Sequence, residues 1–331
     1  MEAIQNSVDQ LFPDTINRIT SFSKSKNRIL IYSMSDRHPG IYRVIDLSKK
    51  ALVFELEKNS DIDKALLNQQ YALGLKMRDG VQLQSYLTLP GPPSAGPYPM
   101  VALVHGGPWS RDTWGYDEEV QLLANRGYAV FQLNFRGSSG YGRSNSGRYS
   151  GDFEDMVKDV ADGTQQLVKK GWIDGNRLAI MGASFGGYAS VAAQMFEPGL
   201  FQCSISYAGV FDMEEQIENW QDSFWKHRQG TYAYDKWVEI LGDPDEEQNY
   251  IRSISPRHNA HKINKPVLLA HGKADRVVDV EQTRDMASAL KSAGNTPETL
   301  YLPAEQHGVA SMKNRIKYYE RVLEFLGENL N

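Results

Sequence analysis

In the stretch MGASFGGYAS (181–190) a single serine, Ser184, stands among residues with almost no side chain, and glycine recurs at 182, 186 and 187. A serine hydroxyl becomes a nucleophile when a neighbouring base can take its proton and the backbone holds it exposed. Gly-x-Ser-x-Gly does this where a strand enters the turn and a helix leaves it. Both flanks fit: RLAIM before the motif is an apolar run suited to a buried parallel strand, and the alanine-rich YASVAAQMF after it suits a helix. Two other readings stay open for the motif by itself. One is a tight strand-to-helix turn with an incidental serine, the other a phosphate-cradling loop, although no Gly-Lys-Ser/Thr follows and the spacing is not Gly-x-Gly-x-x-Gly.

Acyl transfer by serine needs a base and an acid, which follow in the order Ser, Asp or Glu, His when the sheet is of the hydrolase type. PVLLAHGKADRVVDV supplies a strand and then a loop with Asp275, and ETLYLPAEQHGVA supplies a strand and then a loop with His307. Histidine suits the base because it titrates near neutrality, and Asp275 would fix its tautomer and balance its charge. Among rival groups, Asp279 precedes VEQTRDMASAL and reads as a helix cap. His271 lies in a strand end and reads as structural, and His227, His258 and His261 as structural or surface groups. Glu305 competes as the acid but is expected at the rim. Donors for the oxyanion are expected from VHGGPW, where the N–H of Gly107 would act with that of Phe185.

Composition narrows the classes. The 331 residues carry 36 Lys+Arg against 41 Asp+Glu, a net charge of −5, so no basic surface for nucleic acid is expected. Cys203 is the single cysteine, which excludes an intrachain disulfide and thiolate metal sites, and its apolar setting predicts an inert buried thiol. No cofactor or metal is expected. No apolar run is long enough for a membrane span, and the first twelve residues lack the pattern of a signal peptide. The expected compartment is the cytoplasm, or the periplasm or outside if an upstream leader exists.

The elements that must position these groups divide near residue 65. Residues 18–58 predict four antiparallel strands of propeller-blade type, with no second copy of the pattern in the chain. A hairpin with an Asp79-Gly80 turn follows, and beyond residue 100 strands alternate with helices. Among these a helix over 151–171 carries apolar residues at the spacing that faces a sheet. Such alternation specifies an α/β fold with a mostly parallel, doubly wound sheet. The expected domains are 1–65, blade-like, and 66–331, the catalytic unit.

HGGPWSRDTWGYD, LNFRGSSGYG, GASFGGYAS, ISPRHNAHKINKPVLLAHGKADRVV and EQHG, in this order, resemble the catalytic domain of the prolyl oligopeptidase family, especially its acylaminoacyl-peptidase-like branch. SMSDRHPGIYRVIDLSKK resembles the propeller segment that precedes it. The resemblance implies an α/β-hydrolase fold, Ser184, Asp275 and His307 as nucleophile, acid and base, and hydrolysis of oligopeptides or N-acylated peptides through an acyl-enzyme. A small-ester carboxylesterase and an inactive hydrolase-fold binding module are the alternatives. Prolyl and dipeptidyl members carry a tyrosine where this chain has His105, so backbone N–H groups are expected to serve here. The missing propeller implies an open active-site mouth. Residues 211–237 are expected to set specificity, with Phe224 and Trp225 lining an apolar pocket or lid. The uncovered blade predicts self-association.

Overall fold

The computed structural model describes residues 2–142, 152–222 and 230–330. It opens with helix α1 (Glu2–Leu11), which sequence reasoning did not anticipate. Val8 from this helix packs with Ile29, Ile31 and Ile45 on one face of a four-stranded antiparallel sheet. That sheet is β1 (Ile16–Phe22), β2 (Arg28–Ser35), β3 (His38–Asp46) and β4 (Ala51–Glu57), in sequential order as expected. β2 alternates buried and open positions, the signature of a strand with one covered face. β4 does not: Leu52, Val53, Phe54 and Leu56 are all about half exposed or more, at 49%, 45%, 51% and 56%.

The second sheet begins with the hairpin β5 (Gln70–Lys76) and β6 (Gln82–Thr88). Its turn closes as the Asp-Gly signal requires, with Gly80 at φ +92° and its N–H donating to the Met77 carbonyl. Then come β7 (Tyr98–Val104), α2 (Glu118–Asn125), β8 (Ala129–Leu133), α3 (Phe153–Lys169), β9 (Ile173–Ala183), α4 (Phe185–Phe196) and β10 (Cys203–Tyr207). α5 (Met213–Asp222), α6 (Gly230–Leu241), α7 (Gln248–Ile254), β11 (Val267–Gly272), α8 (Val280–Ser292), β12 (Glu298–Leu302) and α9 (Met312–Leu330) complete the chain. The strand order is β12-β11-β10-β9-β7-β8-β6-β5. Only β6 runs against the rest, pairing antiparallel with β5 on one side and β8 on the other; β7 through β12 run parallel, which bears out the expected α/β-hydrolase arrangement.

Both faces of this sheet are covered, which is why its strands read as continuous apolar runs. In β7 the side chains of Met100 and Ala102 join the core under α3 and α4, while Val101 between them joins the core under α2 and α9. The two sheets meet at a polar seam. The Asp36 carboxylate accepts from the Gln70 N–H at 2.8 Å, and its carbonyl accepts from Gln121 Nε2 at 3.1 Å. No helix among the described residues is long and apolar enough to cross a membrane. Cys203 is buried and unbridged, and burial pushes its thiol up to about 12.

Candidate active site

Ser184 lies between the end of β9 and the start of α4 at φ 57° and ψ −121°, a backbone conformation that L side chains rarely adopt. Its N–H donates to the Tyr207 carbonyl and its carbonyl accepts from the Tyr188 N–H, which fixes the turn. The neighbouring glycines are there for space. A Cβ on Gly182 would lie 2.5 Å from the Val104 carbonyl oxygen, and one on Gly186 only 2.0 Å from it. Any side chain at either position would push the elbow off the strand.

Asp275 and His307 leave β11 and β12 at the same sheet edge, and His307 Nδ1 lies 2.8 Å from Asp275 Oδ2. The carboxylate has no solvent exposure. Its Oδ1 accepts from the Val277 and Val278 N–H groups at 2.8 and 3.2 Å. His271 Nε2 stands 3.4 Å from Oδ2 and 3.0 Å from the Val278 carbonyl. A carbonyl only accepts, so the His271 proton is on Nε2, and Nδ1 accepts from the Thr283 hydroxyl at 2.7 Å. Burial pushes Asp275 up, yet the donors from His271, His307 and Val277 outweigh it and hold the carboxyl well below its ordinary range. An ionised carboxylate can only accept, so His307 Nδ1 carries the proton that it donates to Asp275. The histidine read as structural thus also touches the carboxylate.

The other carboxylates separate by geometry. Asp279 caps α8, accepting from the Glu281 N–H at 3.0 Å, as its sequence position suggests. Glu305 corrects an expectation: it is buried, not at the rim. It accepts from the Ala310 and Ser311 N–H groups and from Asn314 Nδ2, and with the Asn314 bond foremost these donors hold it below its usual value. It braces the loop after His307 against α9.

Asp212, Glu214 and His258 offer ligand atoms within 4.8 Å of one another. Asp212 is already bonded by Arg257 and His258, and Glu214 by Arg252 and Gln248, which makes this an ion-pair network. His261 is exposed, and His227 lies outside the described residues.

Gly107, at φ +128°, and Phe185 line the same cavity as Ser184. Phe185 is the first residue of α4, so its N–H has no acceptor within the helix. His105 bonds the Gly106 carbonyl and the Ser138 hydroxyl and stacks on Phe135 with ring centroids 4.3 Å apart. Burial lowers its pKa to about 4, so the ring is neutral.

The cavity has a volume of about 210 Å³ and its apolar wall includes Phe153, Tyr188, Met213, Ile217, Trp237 and Leu241. Of the insertion aromatics, Trp237 lines it and Tyr234 packs on the core, while Phe224 and Trp225 lie outside the described residues. Trp109, Phe153, Tyr188 and Gln216 also line it and were missed, because they come from four separate elements. The signal that the sequence did carry was the aromatic-rich insertion 211–237, of which Trp237 lines the wall.

A profile of the prolyl oligopeptidase family matches residues 114–331. The chain is 32% identical to dipeptidyl aminopeptidase BIII of Pseudoxanthomonas mexicana over 98% of its own length and 47% of the relative's. It is 28% identical to dipeptidyl peptidase family member 6 of Caenorhabditis elegans, over 100% of this chain and 47% of that one. A puromycin-hydrolyzing peptidase of Mycobacterium tuberculosis superposes with a TM-score of 0.81 at 26% identity, covering 92% of this chain and 46% of that one. The acylaminoacyl peptidase of Pyrococcus horikoshii shares the fold, with a TM-score of 0.79 at 23% identity over 95% of this chain and 50% of that one. The chain spans about half the length of the curated relatives it matches.

Proposed function

Given that the chain belongs to the prolyl oligopeptidase family, we propose that it is a serine peptidase acting on oligopeptides or N-acylated peptides. Ser184 Oγ attacks the scissile carbonyl while His307 Nε2 takes its proton. The same nitrogen returns that proton to the leaving amine, and water then cleaves the acyl-enzyme. Asp275 holds the imidazole and balances its charge. The Gly107 and Phe185 N–H groups receive the oxyanion, where each donor is worth about 2.7–4 kcal/mol of barrier.

One observation carries this reading: the 2.8 Å bond between His307 and the buried Asp275, on loops at the sheet edge where the strained Ser184 faces an apolar cavity. Covalent labelling of Ser184 by a fluorophosphonate tests it. Ser184→Ala should abolish labelling and lower kcat by at least roughly 10⁴-fold with the fold intact. Turnover near the parent rate would sink the assignment. Residues 66–331 form the catalytic unit and residues 1–65 an attached blade, whose open β4 supports association between copies.

A further inference from the structure

Gln216 is 3% exposed and lies on α5, where the other buried side chains among the described residues are the apolar Met213 and Ile217. Its Nε2 is 3.2 Å from the Val277 carbonyl. A carbonyl accepts only, so the amide nitrogen faces Val277 and the oxygen is committed to the other side. That Oε1 is buried and has no hydrogen-bond partner among the described residues. Gln216 and Val277 both line the cavity that also holds Ser184, and the remaining wall is mostly aromatic and aliphatic. An unpartnered amide oxygen in such a place is costly and calls for a donor that arrives from outside the chain. An apolar cavity of about 150 Å³ accepts benzene, so the roughly 210 Å³ here admits a phenyl or phenol group.

We propose that Gln216 makes this cavity selective for a substrate side chain with an aromatic body and a hydrogen-bond donor at its tip, so that tyrosine is preferred over phenylalanine next to the scissile bond. The phenol ring takes the apolar wall and its O–H donates to Gln216 Oε1. Phenylalanine fills the same wall and leaves the oxygen unpaired, which is the arrangement that discriminates most strongly between near-isosteres. The proposal rests on Ser184 being the nucleophile.

Peptidyl diphenyl phosphonates separate the two claims, because they need only the nucleophile and the pocket. Matched reagents with a tyrosine-like or a phenylalanine-like side chain are compared by their second-order inactivation rates. The tyrosine reagent should react at least about ten-fold faster, the equivalent of one strong hydrogen bond. In Gln216→Met, of similar length but without the acceptor, the ratio should fall to about one, with the fluorophosphonate labelling rate reporting whether the variant is folded. Equal rates in the parent protein, or reaction with neither reagent while the fluorophosphonate still labels Ser184, would overturn the assignment to Gln216 and leave the nucleophile standing. No labelling by the fluorophosphonate would overturn the nucleophile instead. An unchanged ratio in a folded Gln216→Met would place the selectivity elsewhere.

Discussion

Asp275 and Asp279 stand four residues apart on one loop, and their surroundings give the same side chain two different tasks. Asp275 receives two backbone N–H groups and His307, with His271 close by, whereas Asp279 closes the first turn of α8. Asp275→Asn places an amide donor where an acceptor is required, upsets the His307 tautomer and should lower kcat by about 10⁴-fold. Asp279→Asn keeps a good cap and should leave kcat within about two-fold; a severe loss there with a mild one at 275 would reverse the roles. The two should also differ in acid. Because the folded carboxyl of Asp275 is depressed, its stabilising contribution is complete above about pH 4, the unfolded value, and is lost as pH falls below it. The Tm gap between the parent and Asp275→Asn should therefore narrow between pH 4 and pH 2. Residues of this kind are legible in sequence because motif, order and strand ends identify them together. Glu305 and Gln216 were not, since a polar letter carries no sign of burial until the chain that covers it is folded.

At the scale of elements, the loop after β8 is held by Arg136. Its guanidinium bonds both oxygens of Asp159 at 2.7 and 2.8 Å, Asp79 of the hairpin turn at 2.8 Å and Asp155 at 3.2 Å, joining hairpin, loop and α3. Phe135 beside it stacks on His105 of the loop that leads to Gly107. Asp159 is 1% exposed and burial raises its pKa, so removing the cation strands a buried charge. Arg136→Leu should cost about 3–5 kcal/mol, measured by urea unfolding. The added change Asp159→Leu should recover a large part; if it recovered nothing, the network would contribute through shape alone. The parallel strands were readable because burial on both faces makes them unbroken apolar runs. α1 was not, since a ten-residue helix that buries only Val8 gives too narrow a stripe against a polar background.

For the molecule as a whole, the least settled surface is the β4 edge, where four large apolar side chains meet water beside backbone groups that pair on one side only among the described residues. Light scattering should show mass rising with concentration, and Phe54→Lys should suppress the rise; a parent protein of constant, single-chain mass would exclude association through this edge. The blade pattern was legible from its turns, but the fate of its open β4 edge was not, because no local pattern encodes what meets an exposed strand. A different consequence follows from the backbone of Ser184. Holding an L residue at φ 57° and ψ −121° costs about 1–3 kcal/mol, and glycine would release much of that. Ser184→Gly should then melt higher than Ser184→Ala. A selection for heat resistance with no readout of turnover would enrich glycine at 184, and, under the function proposed above, the more durable version of this protein would be one that does no work.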